Sequence, residues 1–186
     1  MKSHEQPPVV FLVGFMGAGK SAVGQYLAER HQQRFADLDR MIEGREGRAI
    51  VEIFQNSGEA AFRKLETDAL RRLLDGELPM APQIVALGGG AYAREENARM
   101  IRAAGGVVVF LDAPVDELLL RCRRDTQPHE RPLLQNESVF RRLYEERKPH
   151  YYRANLRIET AGKRIDQVAR EVARELRKAN ILWEES

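Results

Sequence analysis

The stretch GFMGAGKS, Gly14–Ser21, follows directly on the apolar run VVFLV, Val9–Val13. No other feature restricts the fold of this chain as tightly. It matches the pattern G-x-x-x-x-G-K-[ST], which carries meaning only between a strand and a helix. Both flanks qualify. Val9–Val13 is continuous and β-branched, as in a strand buried on both faces of a parallel sheet. Ser21–Gln32 puts Val23, Leu27 and Ala28 on one side of a helix. Gly14, Gly17 and Gly19 let the backbone turn tightly and approach oxygens. The N–H groups from Gly17 through Ala18, Gly19, Lys20, Ser21 and Ala22 then face phosphates, helped by the positive end of the helix. Lys20 reaches the β- and γ-phosphates, and Ser21 offers its hydroxyl to Mg²⁺. The motif predicts a nucleoside triphosphate and says little about what receives the phosphate. A glycine-rich turn that binds nothing would leave Lys20 and Ser21 unexplained.

Strand and helix patterns alternate along the rest of the chain. Further strands are expected at Arg34–Asp37, Gln83–Leu87, Gly106–Leu111 and Leu156–Glu159. Helices are expected at Glu59–Leu74, Arg94–Ala104, Val115–Arg123, Val139–Tyr152 and Ile165–Lys178. Such alternation predicts an α/β domain with helices on both faces of a parallel sheet of about five strands. Two segments interrupt it. Leu38–Leu74 is mostly helical, longer than a simple crossover requires, and reads as a substrate-binding insertion. Arg124–Ser138 is polar, contains Pro128 and Pro132, and reads as a lid.

Bulk properties narrow the function classes. At 186 residues one domain spanning 1–186 is expected. The net charge of +2 and scattered basic residues, without interleaved aromatics, argue against a nucleic-acid partner. No run approaches the roughly 20 apolar residues of a membrane span, and the N-terminal MKSHEQPP lacks an apolar core, so a cytoplasmic protein is expected. The single cysteine, Cys122, precludes an intramolecular disulfide, and no activating partner for it is evident.

Four segments bear on the phosphate acceptor. In FADLD, Asp37 and Asp39 stand at a strand end, where α/β folds hold ligands. One carboxylate can support a Mg²⁺ shell while the other meets a substrate hydroxyl; the pair can equally be a turn and a helix cap. In GEAAFRKLE, Arg63 and Glu66 are neighbours on one helix face, either as a surface ion pair or in a cleft. In VALGGGAY, Gly88, Gly89 and Gly90 suit a backbone lying against a ligand, with a loose turn as the alternative. Arg124, Arg131 and Arg147 are candidates to clamp phosphates or a carboxylate, as the planar guanidinium does bidentately, unless each is simply solvated.

Taken together, GFMGAGKS, FADLD with IEGREGRAIVEIF, GEAAFRKLE, LGGGA, RPLL and ERKPHYY resemble, in order, the shikimate kinases. These belong to the P-loop, nucleoside-monophosphate-kinase-like folds, and the resemblance runs from Val9 to about Val172. It implies a three-layer P-loop domain and transfer of the ATP γ-phosphate to the 3-hydroxyl of shikimate, on the way to chorismate and the aromatic amino acids. It also implies Mg²⁺, small-molecule substrates and a monomer. Residue by residue, Asp39 is similar to the aspartate that binds the ring hydroxyls and meets the reacting proton. Arg63 and Arg147 resemble the pair that holds the substrate carboxylate, with Glu66 supporting Arg63. Gly88, Gly89 and Gly90 resemble the substrate-facing glycines, and Arg131 the lid arginine that closes on the transferring phosphate. Catalysis thus falls to Lys20, Asp39 and Arg131. Asp37 is similar to the carboxylate beside the metal shell, acting through water, and Arg124 to an arginine packed on adenine. Ala22 stands where the family often has Thr, Leu38 where a small polar residue is common, and TAGKRI matches the family's adenine loop poorly. A gluconate or nucleoside-monophosphate kinase is the nearest rival; a non-catalytic nucleotide binder is a more distant one.

Overall fold

A computed structural model describes residues 8–77, 80–125 and 136–181. The expected alternation is present. Five strands form one sheet: β1 (Val10–Val13), β2 (Phe35–Asp37), β3 (Ile84–Ala86), β4 (Val107–Asp112) and β5 (Leu156–Glu159). Their spatial order is β2-β3-β1-β4-β5, and every neighbouring pair is parallel. β1 is therefore central, and VFLV is buried along its whole length. This is why its sequence is continuously apolar rather than alternating. All strands run the same way, so their carboxyl ends share one edge, where the loops collect the ligand-binding groups.

The helices are α1 (Lys20–Arg30), α2 (Leu38–Glu46), α3 (Ile50–Leu74), α4 (Glu95–Ala103), α5 (Val115–Asp125), α6 (Glu137–Tyr151) and α7 (Ile165–Lys178). They flank the sheet, with α1 packed on α7, α3 on α2 and α4, and α5 on α6. One core runs through the molecule, built on Phe11, Leu12, Phe110, Phe140 and Tyr151. Among the described residues no helix is long and apolar enough to cross a membrane.

The segment Leu38–Leu74 is two helices, α2 and α3, joined by the non-helical residues 47–49, and α3 begins nine residues before the expected Glu59. Gly58, at φ 78° and ψ 171°, breaks it into two helical halves. The exposed residues Gln55–Glu59 surround this break and mask the first half from an apolar periodicity. The lid segment falls mostly outside the described residues, including Pro128, Arg131 and Pro132; of Arg124–Ser138 only the ends, in α5 and at the start of α6, are described.

Candidate active site

The phosphate loop lies between β1 and α1. Gly17 shows why glycine is needed: its φ is 80°, and a Cβ there would stand 2.7 Å from the Leu118 carbonyl and 2.8 Å from Cys122 Sγ. Gly19, which precedes α1, caps it with no side chain, leaving the first-turn N–H groups open toward an anion. Lys20 Nζ crosses the loop and donates to the Gly14 and Phe15 carbonyls, each at 3.0 Å.

In FADLD, Asp37 makes two kinds of contact. Its Oδ1 accepts from the Asp39 and Arg40 N–H groups at 3.0 and 3.4 Å, capping α2. Its Oδ2 accepts from Ser21 Oγ at 2.5 Å, across the mouth of the phosphate loop. Asp39, two residues on, lines the same cavity, with its Oδ1 against Gly88.

Behind the phosphate loop the carboxyl ends of β2 and β3 meet α3 and α6. Arg63 Nη1 donates to Glu66 Oε2 at 2.9 Å, and the Glu66 side chain is fully buried. The pair is therefore not a surface ion pair. Two carboxylate oxygens here, Asp39 Oδ1 and Glu66 Oε1, are buried with no hydrogen-bond partner among the described residues. Both lie against Gly88, where a Cβ would stand 2.6 Å from the first and 2.7 Å from the second. A Cβ at Gly90 would likewise stand 2.6 Å from Arg63 Nη1. From α6, Arg147 reaches the same place, 5.8 Å over the Phe15 ring. Tyr151, one turn further, donates its hydroxyl to the Gly89 carbonyl and fixes the glycine loop.

Burial sets the electrostatics. Desolvation, with Asp37 and Glu66 nearby, pushes Asp39 up to about 6, against the opposing pull of Lys20 and Arg63. Burial also raises Glu66, although Arg63 and Arg147 oppose it, and lowers Arg147. The site thus keeps two guanidiniums and two carboxylates largely out of water, where charge interactions are strong.

One cavity of about 1450 Å³ joins the two halves, lined by Gly17–Ala22 at one end and by Asp39, Arg63, Gly88–Gly90 and Arg147 at the other. A single small-ligand pocket is roughly 300–1000 Å³, so this one has room for two substrates. Lys20, Ser21 and Asp37 lie where the halves meet.

The shikimate kinase family model matches residues 16–177. The chain belongs to the shikimate kinase family. It is 41% identical over 169 residues to a shikimate kinase of Persephonella marina, covering 90% of this chain and 98% of that one. A shikimate kinase of Geobacter sulfurreducens is 43% identical over 167 residues, covering 88% of each chain. Among solved structures, shikimate kinase from Acinetobacter baumannii in complex with shikimate superposes with a TM-score of 0.84 at 35% identity, covering 96% and 97% of the two chains. A gluconokinase from Sinorhizobium meliloti reaches a TM-score of 0.62 at 20% identity, a likeness of fold alone.

The structure brings Gly17–Ala22, Asp37, Asp39, Arg63, Gly88–Gly90 and Arg147 to the lining of one cavity. Arg124 is different: it is exposed on α5 and absent from the cavity lining, whereas Arg121 lines it. Arg121 Nη2 donates to the Thr160 carbonyl and to Glu117 Oε1, both at 2.6 Å, and Nη1 to Thr160 Oγ1 at 3.0 Å. Helical periodicity carried the signal. Leu118 and Cys122 are buried on α5; Arg121, three residues after Leu118, shares their side, and Arg124, two after Cys122, faces away. Tyr151 was missed because its partner is a backbone carbonyl from a distant loop, which no local pattern reveals.

The crowding at Gly88 gives a direct test. Gly88→Ala is expected to lower kcat/KM for the acceptor roughly 10- to 100-fold, as overpacking of about 1–3 kcal/mol implies. Binding of a fluorescent ATP analogue should be unaffected. An unchanged kcat/KM would show that the carboxylates can yield to the methyl group.

Proposed function

We propose that this chain transfers the γ-phosphate of ATP to the 3-hydroxyl of shikimate, giving shikimate 3-phosphate and ADP, a step toward chorismate. It does so as a monomeric cytoplasmic kinase with one P-loop domain, residues 1–186, in which 38–74 form the substrate-binding insertion and 124–138 the lid. The observation that carries the acceptor assignment is the buried group of Arg63, Arg147 and Asp39 at the far end of the phosphate cavity. Shikimate has one carboxylate and three ring hydroxyls. Two guanidiniums suit the carboxylate, and the unpartnered Asp39 Oδ1 and Glu66 Oε1 suit hydroxyl donors.

In this reading Arg63 and Arg147 anchor the carboxylate, with Glu66 holding Arg63 from behind. Gly88, Gly89 and Gly90 form a wall low enough for the ring to approach. Asp39 orients the reacting hydroxyl and takes its proton; a carboxyl raised to about 6 is a better base than an ordinary aspartate. The backbone of Gly17–Ala22 cradles the phosphates, and Lys20 and the lid's Arg131 stabilise charge on the transferring group. Arg121, which lines the cavity, is assigned the adenine side in preference to Arg124.

Mg²⁺ fits the residues present. Ser21 and Asp37 bring two oxygen donors within 2.5 Å of each other at the junction of the two halves, the donor type a hard cation takes. Ser21 would bind the ion directly and Asp37 through water, and the ion would neutralise phosphate charge.

The test is ADP release from Mg²⁺-ATP with shikimate, gluconate, nucleoside monophosphates or no acceptor. Stimulation by shikimate alone is expected. Stimulation by gluconate or a nucleotide instead would move the chain to a sister activity, and none at all would leave a nucleotide binder.

A further inference from the structure

Arg63 is engaged by two carboxylates within the protein. Nη1 meets the fully buried Glu66 at 2.9 Å. The opposite edge, Nε and Nη2, is one of the two with which a guanidinium can take a carboxylate bidentately. Both of its nitrogens donate to a single oxygen of Glu59, at 3.3 and 3.2 Å. The two partners differ in kind. Glu66 is a permanent inner support, whereas the Glu59 side chain is 67% exposed and its contact is long. Glu59 nevertheless lines the cavity on the acceptor side. Its charge is felt at Arg147 as well as at Arg63. It is also the residue after Gly58, where the helical path of α3 breaks and nothing lies within 4 Å of a built Cβ.

Resting on the acceptor reading above, we infer that Glu59 is an internal placeholder for the substrate carboxylate. It occupies the outer edge of Arg63 in the free protein and must give that edge up when shikimate binds. The reasoning is one of competition. A guanidinium edge satisfied by one carboxylate cannot take a second in the same plane, so the substrate binds the fraction of molecules in which Glu59 has let go. Exposed ion pairs are weak, about 0.2–1 kcal/mol, so displacement is easy and its cost to affinity is modest. Other anions must also displace Glu59 to reach that edge of Arg63.

Calorimetric titration of shikimate without nucleotide, at low salt, tests this in the wild type, Glu59→Gln and Glu59→Ala. Both variants should bind shikimate about two- to fivefold tighter, the fold-change that 0.2–1 kcal/mol allows at its upper end. The neutral methyl ester of shikimate, which carries no competing charge, should gain nothing. Unchanged or weaker shikimate binding in both variants overturns the inference, because Glu59 would then be holding Arg63 in its binding pose. An equal gain for the ester overturns it too. Wild-type protein that binds no shikimate overturns the acceptor reading along with it, whereas a wild type that binds beside variants that gain nothing overturns the inference alone. Glu59 is exposed, so both variants are expected to fold, and their melting temperatures check this.

Discussion

Asp39→Asn is expected to lower kcat by about 10²–10⁴-fold, the usual weight of a positioned general base, while ATP affinity stays nearly unchanged. The amide keeps the size and one acceptor oxygen but cannot take a proton. Asp39 lies on the acceptor side of the junction, so the phosphate loop should be unaffected. Two pH measurements sharpen the test. With Asp39 raised to about 6, wild-type kcat/KM should fall about tenfold per pH unit below that value, and the variant's residual rate should lack this limb. The stability effect has the opposite sense. A carboxyl whose folded value is raised from 3.8 to about 6 makes its ionisation a cost to folding. That cost is absent below the unfolded value and fully present above the folded one. Asp39→Asn should therefore melt a few degrees higher than wild type at pH 7, and the gain should shrink toward pH 4. Near-normal turnover in the variant would remove both the base and the orienting role.

Arg63→Ala should produce two separable losses. The first is affinity: a hydrogen bond to a charged group is worth about 1.5–3 kcal/mol, so KM for shikimate should rise roughly 10- to 100-fold with KM for ATP little changed. The second is stability. Glu66 is fully buried and Arg63 is its ion-pair partner, so the variant leaves a buried carboxylate uncompensated, at a cost of up to about 3–5 kcal/mol. Protonation of Glu66, which burial already favours, limits that loss and makes it larger at pH 8 than at pH 5. The double variant Arg63→Ala/Glu66→Ala should recover much of the stability and none of the affinity. Unchanged shikimate affinity in the single variant would reject the carboxylate anchor; unchanged melting would show that Glu66 finds another partner.

The short motifs of this chain were legible because each is a local solution to a local problem. GFMGAGKS between an apolar run and an amphipathic helix has few other uses, and the strand runs at Val10–Val13 and Val107–Leu111 are continuous because both faces of the sheet are covered. FADLD and GEAAFRKLE were ambiguous for the same reason: an aspartate can cap or bind, and an i, i+3 pair can sit in water or in a core. In the structure Asp37 caps α2 and accepts from Ser21 at once, and Glu66 is buried against Arg63.

Sequence by itself therefore determined the strand-and-helix alternation, the phosphate loop and the chemical types of the acceptor groups, since these depend on residues within one turn or one strand of each other. Tertiary structure alone decided which charges leave water and which nitrogen faces which oxygen. Asp39, Arg63, Gly88 and Arg147 come from four separate elements and meet only because a parallel sheet gathers its strand ends on one edge. The raised Asp39, the Tyr151 hold on Gly89, the inward turn of Arg121 and the Glu59 contact all follow from that convergence. Desolvation and hydrogen-bond geometry are properties of assembled neighbours, and no spacing along the chain encodes them.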